Sequence, residues 1–389
     1  MEFYISTGEM QRVIKLMGVA AKSNVQDSSG LILIEVNEDN SNLFLSNDGK
    51  HTISVIAKDV LIKKPGILAI EFSQLKSFIN SFAVWNEEKG YGTKGFNFSA
   101  ENTKEVYVTV DSVHENGKKS KGKIKLKGYD SLGIKKPKPF GKTTFILNSN
   151  IFKTAVDKVM YAINPAETRG QIMGMNIRFD EDNIYFAGTN GVVLSEYKIK
   201  NISGLADGNF ILRLDFVMAL KRALIDEYQM FFEFDNKSAR IKFDDIYFTG
   251  SLIVGHTYPE YKQTFDAFSD SIVLDKNTLT DILSPMVDIL DNDDYNRLSL
   301  SIKDKQLSIF NDSAVFEYED DVNYVGELNL DVNGTIFNQS LSSIKDDKIM
   351  MKFSDENGYL ILDSANFEDQ KSLIVPIDRR NAWYSWQNS

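Results

Sequence analysis

Two short stretches of the sequence contain residue types that could bind a ligand or an ion. The stretch GYGTKG at 90–95 fits the G-x-G-x-x-G pattern of dinucleotide-binding loops. That pattern binds phosphate only between a strand and a helix, whereas here it follows a predicted helix and precedes the strand FNFSA. DNDD at 291–294 resembles the start of a calcium loop, but it lacks the glycine and the final glutamate at the required spacing. Both stretches are therefore interpreted as loops.

Catalytic residue patterns are equally weak. The three histidines, His51, His114 and His256, are far apart in sequence and form no metal-ligand pair. The chain has no cysteine, which excludes disulfides, thiol nucleophiles and thiolate metal sites. The sequence contains no P-loop, nucleophile elbow or paired-carboxylate signature. The sequence therefore predicts a protein that is not an enzyme and uses no cofactor or metal.

Composition indicates a folded protein of several domains. The chain has 389 residues, of which 42% are hydrophobic and 12% aromatic, values typical of globular proteins. The N-terminal MEFYISTGEMQRV lacks the layout of a signal peptide, and no apolar run is long enough to span a membrane. We therefore expect a cytoplasmic protein without a membrane partner.

The charge is distributed unevenly along the chain. The net charge is −11, yet residues 118–142 contain ten lysines and one acid. Residues 266–378 contain 24 acids and eight bases. The electric field of such a chain is directional, and the total charge conceals this polarity.

Three similar segments occur along the chain and must position any functional residue. They begin with EFYISTGEMQRVIKLMGVAAKS at 2–23, TFILNSNIFKTAVDKVMYAI at 144–163 and SIVLDKNTLTDILSPMVDIL at 271–290. Each reads as a strand and an amphipathic helix, followed by alternating hairpin strands, a second helix and further strands. The predicted order is β-α-βββ-α-ββ, repeated three times. Antiparallel sheets with both helices on one face belong to the α+β class, and exposed sheet edges favour pairing between repeats.

Three motifs in this order resemble those of one known family. They are GTNGVVL at 188–194, YPEY at 258–261 and LIVPI at 373–377. With the order of elements, they resemble the bacterial-type DNA sliding clamp, the beta subunit of replicative DNA polymerase III. The resemblance covers nearly the whole chain, and the divergence in these motifs permits a viral as well as a cellular copy.

The resemblance implies a fold and a function. The fold would be three tandem clamp domains at 1–141, 142–265 and 266–378, with a C-terminal tail at 379–389, and the chain would form a ring on dimerisation. The function would be that of a processivity factor in the cytoplasm, associated with the nucleoid. It would encircle double-stranded DNA without sequence preference and tether a replicative DNA polymerase and a clamp loader. The alternative is a non-catalytic structural or adhesion protein of tandem β-rich domains.

The resemblance also implies a hydrophobic pocket that binds short peptides of those partners. Where the family has His-Arg, this chain has Val192-Val193, and Gln263 stands where the family tends to have a basic residue. The pocket is therefore expected to favour less acidic and more aromatic peptides. Carried over by position, its residues are Ile172, Thr189, Gly191, Val192, Val193, Leu194, Pro259, Gln263, Thr264, Leu373, Val375, Pro376 and Ile377.

Two aromatic groups near this pocket have alternative interpretations. Tyr258 and Tyr261 flank the proline segment and either wall the pocket or simply pack a domain junction. Trp383 and Trp386 in the tail either fold into the pocket or pack elsewhere on the surface.

The helices of a clamp would face the DNA and should carry basic residues. The alternative for each residue is an ordinary solvated helix face. The DNA-facing candidates are Arg12, Lys15, Lys22, Lys76, Lys153, Lys158, Lys221, Arg222, Lys276 and Lys345.

The dimer interface is expected at the basic stretch. Alternation in KGKIKLK predicts an edge strand with Ile124 and Leu126 on the side opposite the lysines. In the family, an edge of the first domain meets the third domain of a second subunit. Here that arrangement would set the basic strand against the acidic third domain, with apolar contact from Ile289 and Leu290.

Overall fold

The computed structural model is an α+β fold in which antiparallel strands and helices follow each other in three repeats, as the sequence predicts. The structure describes residues 1–377 without 22–28, 40, 83–85, 87, 132–133, 135, 137, 181, 201, 203–206, 267, 290–295, 312–313, 319–321, 354–357 and 367–368.

Each repeat is a series of strands interrupted by two helices. The first contains β1 (Glu2–Ser6), α1 (Thr7–Met17), β2 (Leu31–Val36), β3 (Leu43–Asn47), β4 (His51–Ile56), β5 (Val60–Lys64), β6 (Gly66–Glu71), α2 (Phe72–Asn80), β7 (Gly92–Ser99), β8 (Glu105–Val113) and β9 (Lys119–Tyr129). The second contains β10 (Phe145–Asn148), α3 (Ser149–Val159), a 3-10 turn (Met160–Ala162), β11 (Gly174–Phe179), β12 (Ile184–Thr189), β13 (Val193–Ile199), β14 (Gly208–Arg213), α4 (Leu214–Ala223), β15 (Gln229–Phe234), β16 (Ser238–Phe243) and β17 (Ile246–Ile253). After a short helix α5 (Lys262–Phe265), the third contains β18 (Asp270–Asp275), α6 (Lys276–Ile289), β19 (Arg297–Lys303), β20 (Gln306–Phe310), β21 (Val315–Glu317), β22 (Leu328–Asn333), α7 (Gly334–Ser343), β23 (Lys348–Phe353), β24 (Leu360–Ser364) and β25 (Gln370–Ile374).

The predicted order of elements was incomplete, because every repeat has additional strands. In each repeat a strand runs directly into the second helix, as β6 does into α2, β14 into α4 and β22 into α7. At the first two points no turn residue separates strand from helix, so the change of period is hidden in the sequence. At the third, Asn333 caps the N-terminus of α7. A third strand also follows the second helix in every repeat.

The first helix of the chain shows why these segments form helices. The Ser6 hydroxyl accepts from the Glu9 amide at 3.4 Å and so caps the N-terminus of α1. Met10, Val13 and Met17 recur at helical spacing and are fully buried. The apolar face fixes the helix against its own repeat.

By internal contacts the chain forms two compact units. The first comprises Met1–Asn150 with Asp215–Leu252, and the second comprises Ile151–Leu214 with the chain from Ile253 onward. The second repeat therefore contributes strands to both units.

In each unit, two repeats are joined by one pair of antiparallel strands. In the first unit β4 pairs with β17, so that Ser54 lies opposite Tyr247. In the second unit β13 pairs with β25, so that Leu194 lies opposite Leu373. Pairing between repeats at their sheet edges, which the sequence predicts, is confirmed at both places. We call these two strand pairs the first seam and the second seam.

The two seams follow one rule. Each joins the third strand after the first helix of one repeat to the last strand of the next repeat. By that rule the remaining equivalent strands are β21 of the third repeat and β9 of the first. Among the described residues, β21 pairs with β20. β9 pairs with β8 along its length and with β6 only at its C-terminal end.

Aromatic side chains form the core beneath the first seam. Phe248 of β17 is fully buried, and its ring stacks on that of Phe216 at 5.1 Å between centroids. The His51 ring lies 5.6 Å from the Phe248 ring on the other strand of the seam. Phe248 therefore links both strands of the seam to α4.

We expect Phe248→Ala to lower the free energy of unfolding by about 3–5 kcal/mol, because it leaves a large cavity in the core. Chemical denaturation followed by circular dichroism measures this change. The matched control is Phe268→Ala, at a residue that is 36% exposed. It should lower the free energy of unfolding much less. Equal losses in the two variants would show that the first seam does not depend on this core.

Candidate functional site

The predicted peptide pocket lies along the second seam. Leu194 of β13 lies opposite Leu373 of β25. The ladder continues beyond the strand, because the Val375 amide donates to the Val192 carbonyl at 2.9 Å. The seam thus brings the GTNGVVL and LIVPI motifs into direct contact.

The turn between β12 and β13 is shaped by its own side chains. Asn190 Oδ1 accepts from the amides of Val192 and Val193 at 2.9 and 3.0 Å. The Thr189 hydroxyl donates to the Val193 carbonyl at 2.7 Å. Gly191 has a φ of +88°, a conformation that strains any residue with a side chain. The Thr-Asn-Gly sequence therefore fixes this wall of the site locally.

A loop before β11 holds the same turn from outside. The Arg169 guanidinium donates to the Asn190 carbonyl at 3.2 Å and to Glu167 Oε2 at 2.7 Å. The bond from Arg169 lowers the pKa of Glu167 to about 2. Glu167 and Arg169 were not among the predicted site residues; their signal in the sequence is an acid two residues before an arginine in the ETR segment.

The two tyrosines around Pro259 are buried beside residues of the predicted pocket, which both alternatives allow. Tyr258 is 3% exposed and Tyr261 4% exposed, with their rings perpendicular at 6.0 Å. They share an apolar cluster with Leu194 and Leu373. After the strand IYFTGSLIV ends, the chain therefore crosses the second seam, and its aromatic rings cover that seam.

A buried carboxylate lies among these rings. Tyr261 donates to Glu196 Oε2 at 2.6 Å, and the Arg178 guanidinium is 3.9 Å from the same oxygen. Burial raises the pKa of Glu196, although Tyr261 and Arg178 both favour its charged form. Burial likewise raises the pKa of Tyr258, whose hydroxyl has no hydrogen-bond partner among the described residues. Polar groups are therefore buried among the apolar residues of the site.

The predicted pocket residues divide into a buried floor and an accessible rim. Gln263 is exposed, and the half-buried members are Val192, Pro259, Thr264 and Ile377. The buried members are Ile172, Thr189, Gly191, Val193, Leu194, Leu373, Val375 and Pro376.

Val193 is a correction to this list. It pairs with Ile374 across the seam, and both side chains belong to a different core cluster, together with Leu274 and Leu362 of the third repeat. Successive residues of a strand point to opposite faces, so Val193 faces away from Leu194 and from the pocket.

The basic residues predicted to face DNA differ in their accessibility. Lys15, Lys76, Arg222 and Lys345 are exposed, whereas Lys153 and Lys221 are half-buried. Lys22 lies outside the described residues.

Arg12 is engaged within the protein and is removed from the DNA-facing set. Its Nη2 atom lies 2.8 Å from Glu9 Oε1 and 2.8 Å from Asp245 Oδ2. These carboxylates raise the pKa of Arg12 above its ordinary value. Arg12 was expected to face DNA as a basic residue of a predicted clamp helix, but Asp245 is distant in sequence and could not be anticipated.

Lys158 and Lys276 are also engaged within the protein. Lys158 is only 4% exposed, and its Nζ donates to the Ser343 carbonyl at 3.0 Å. Burial, with smaller effects of Lys345 and Lys276, lowers the pKa of Lys158 to about 8. Lys276 Nζ donates to the Ile344 carbonyl just after α7. Both ammonium groups bind carbonyls near the end of that helix instead of facing solvent.

The predicted dimer contacts are corrected in part. β9 is an edge strand along most of its length, as predicted, but Leu126 is 1% exposed and belongs to the core. Ile124 is half-buried and remains available for contact. The side chain of Ile289 and all of Leu290 lie outside the described residues. Exposed lysines occur at alternate positions of the strand, namely Lys119, Lys121, Lys123, Lys125 and Lys127.

The described part of the chain contains neither a metal cluster nor a membrane-spanning helix. No group of three or more His, Cys, Asp or Glu side chains there could hold a metal ion. No helix in the same part of the chain is long and apolar enough to cross a membrane.

Comparison with solved structures identifies the class of fold. The DNA polymerase sliding clamp of Bacillus subtilis superposes with a TM-score of 0.83 at 15% identity, over 97% of this chain and 99% of that one. The DNA polymerase III subunit beta of Pseudomonas aeruginosa gives a TM-score of 0.81 at 17% identity, over 97% of this chain and 100% of that one. The fold is therefore that of a sliding clamp.

Sequence comparison identifies the particular relatives. Residues 146–260 match the model of the DNA polymerase III beta subunit, central domain. The beta sliding clamp of Buchnera aphidicola is 21% identical over 242 residues, and that of Haemophilus influenzae is 22% identical over 238 residues. These alignments cover 61% and 60% of this chain and 66% and 65% of the relatives, just under two thirds of their length. The resemblance to a divergent bacterial sliding clamp, predicted from the sequence, is confirmed.

The buried Lys158 makes stability depend on pH in a specific direction. Its pKa in the folded state is about 8, below the ordinary lysine value of 10.5. Between these pH values the unfolded chain binds a proton that the folded chain does not, so the free energy of unfolding should rise with pH. Below pH 8 both states are protonated, and this contribution to the pH dependence is absent.

We therefore expect the parent to gain stability relative to Lys158→Met as the pH rises from 8 to 10.5. Urea denaturation of both proteins at several pH values measures the difference. Lys153→Met on the same helix is the matched control, and the difference between its free energy of unfolding and that of the parent should not change with pH. A pH-independent difference between the parent and Lys158→Met would contradict the assignment.

Proposed function

We propose that this protein is a DNA sliding clamp, a non-catalytic processivity factor that encircles duplex DNA. The observation that carries the proposal is the seam rule: β4 joins β17, β13 joins β25, and β21 and β9 remain as the equivalent pair. If β21 of each copy pairs with β9 of the other copy, both open edges of each copy gain a partner. A head-to-tail dimer of this kind closes into a ring.

The charges at the two edges support pairing between copies. β9 presents five exposed lysines, and β21 contains Glu317 and is followed in sequence by Tyr-Glu-Asp-Asp at 318–321. Val315 of β21 is 66% exposed, which offers apolar contact to the half-buried Ile124. Opposite charges on facing edges favour the head-to-tail contact and disfavour contact between two copies of β9.

The domain organisation proposed here follows the repeats. Three clamp domains at 1–141, 142–265 and 266–378 would each contribute two helices to the inner wall of the ring. The exposed Lys15, Lys76, Arg222 and Lys345, with the half-buried Lys153 and Lys221, would attract phosphates without reading bases. Duplex DNA is thus held topologically, in the cytoplasm at the nucleoid.

The second seam would serve as the docking site for partner peptides. Its accessible rim of Val192, Pro259, Gln263, Thr264 and Ile377 surrounds a floor that includes Leu194, Leu373 and Val375. The partners would be a replicative DNA polymerase and a clamp loader, because the structural and sequence relatives are beta sliding clamps. The rim has no charged member, so apolar and aromatic peptide side chains should dominate the binding.

A topological clamp is tested by its retention on closed DNA. We expect the protein, loaded with a bacterial clamp loader and ATP on nicked circular DNA, to remain bound during gel filtration at a salt concentration at which the dimer stays intact. After linearisation of the same DNA it should be lost, because a ring slides off free ends. Equal retention on both forms would contradict encirclement, and the alternative of an adhesion protein predicts binding to neither.

The dimer is tested through its edge charges. Lys121→Glu with Lys123→Glu should weaken dimerisation by about tenfold or more, because attractive contacts with the acidic edge become repulsive. Sedimentation equilibrium at low and high salt measures this, and the parent dimer should itself weaken as salt rises. The matched control, Lys64→Glu with Lys237→Glu, changes the net charge equally at exposed sites away from β9. Equal weakening by both pairs, or a monomer at low salt, would contradict the proposed interface.

A further inference from the structure

A groove of about 500 Å³ lies on the surface of the first unit, along the first seam. Its walls come from β3, β4, β16 and β17 and from the linker that follows β9. Leu43 and Ile56 line the groove from β3 and β4, and Tyr247 and Thr249 line it from β17, across the seam. Phe140 of the linker also lines the groove.

This groove lies on the seam equivalent to that of the predicted peptide pocket. Both lie on the seam between the third strand after the first helix of one repeat and the last strand of the next. In both, the linker that joins two repeats contributes aromatic residues, Phe140 at the first seam and Tyr258 with Tyr261 at the second. The repeat thus provides two sites of one architecture.

The linkers cover the two seams to different extents. At the second seam Tyr258 and Tyr261 are almost fully buried in an apolar cluster. At the first seam Phe140 and Tyr247 are only half-buried, and the groove remains between them. Leu43 and Ile56 are also half-buried, so a bound side chain could bury further apolar surface.

The charge of the groove distinguishes it from the second seam. Of the described residues that line it, four are basic and none is acidic: Lys136, Lys138, Arg240 and Lys242. Behind the lining, Lys136 pairs with Glu35, and Arg240 pairs with Glu233 and Asp235. Lys242 Nζ lies 5.5 Å from the centre of the Tyr247 ring, and Lys138 is exposed. Lys138 and Lys242 are therefore the cations best placed to bind an incoming acid.

We propose that this first-seam groove binds an extended segment of a partner protein in which acidic side chains alternate with large apolar ones. The acidic side chains would contact Lys138 and Lys242, and the apolar ones would lie against Phe140 and Tyr247. A peptide fits better than duplex DNA, because half the lining is apolar and phosphate contacts would leave it uncovered. The inference goes beyond the proposed clamp function, since it adds a second docking site of different charge preference.

The test uses a reporter placed in the groove of the full-length chain. The chain contains no cysteine, so Thr249→Cys can be labelled at one position with an environment-sensitive fluorophore. The probe is a ten-residue synthetic peptide of alternating Glu with Leu and Phe, and the comparison peptide has Lys in place of every Glu. We expect a saturable signal with the Glu peptide and none with the Lys peptide.

Charge reversal in the groove identifies the contacts. Lys138→Glu with Lys242→Glu should weaken binding of the Glu peptide by about tenfold or more, because two attractive contacts become repulsive. Lys64 and Lys237 lie outside the groove, so Lys64→Glu with Lys237→Glu should change the affinity for the Glu peptide by less than about twofold. Circular dichroism melting shows whether each variant remains folded, and Lys138→Gln alone, at an exposed site, provides a milder variant with the same expected direction.

Three outcomes would overturn the proposal. One is the absence of a saturable signal, and another is equal weakening by both charge-reversal pairs. The third is displacement of the peptide by a duplex oligonucleotide whose own binding depends on Lys138 and Lys242, which would assign the groove to nucleic acid. These measurements use free protein without DNA or loader, so their failure is distinct from a failure of the clamp proposal.

Discussion

The structure depends on the need of edge strands to find hydrogen-bonding partners. An open sheet exposes a row of unpaired amides and carbonyls, which proteins must pair, cover or block. Here the chain meets this need by repetition, because the third strand after one helix pairs with the last strand of the following repeat at β4–β17 and at β13–β25. The same need at β21 and β9 gives a physical reason for the proposed closure by a second copy.

The seams also create the proposed binding surfaces. Where two repeats join, the linker must cross the joined sheet, and its aromatic residues determine how much of that sheet stays accessible. Tyr258 and Tyr261 bury the centre of the second seam and leave an uncharged rim, whereas Phe140 leaves a basic groove at the first. Two sites of equal architecture would thus differ in the peptides that they prefer.

The distribution of charge is consistent with this division. The chain is acidic overall, yet its basic residues are concentrated on β9 and the linker that follows it. Three predicted DNA contacts are instead engaged inside the protein: Arg12 between Glu9 and Asp245, and Lys158 and Lys276 at backbone carbonyls. The predicted DNA contacts that remain accessible are few, which suits the proposed function of holding DNA by enclosing it more than by affinity.

The local pattern of apolar and polar residues predicted the repeats, the fold class and the pairing of sheet edges, because strand alternation and helical spacing involve residues that are close in sequence. It missed β6, β14 and β22, which run directly into helices. It misassigned Leu126, since alternation shows that two faces exist but not which of them is buried. The resemblance placed Arg12 and Lys158 on the DNA face and Val193 in the pocket. The partners of Arg12 and Lys158, Asp245 and Ser343, lie far away in sequence, and position alone does not show which face Val193 occupies.

The central claim is that β21 of one copy pairs with β9 of another. Because the chain has no cysteine, Val315→Cys and Lys123→Cys can be made in separate copies, mixed, and treated with a short bismaleimide. The account predicts covalent dimers in the mixture and none with Lys123→Cys alone. Dimers from Lys123→Cys alone, or none from the mixture, would contradict head-to-tail closure.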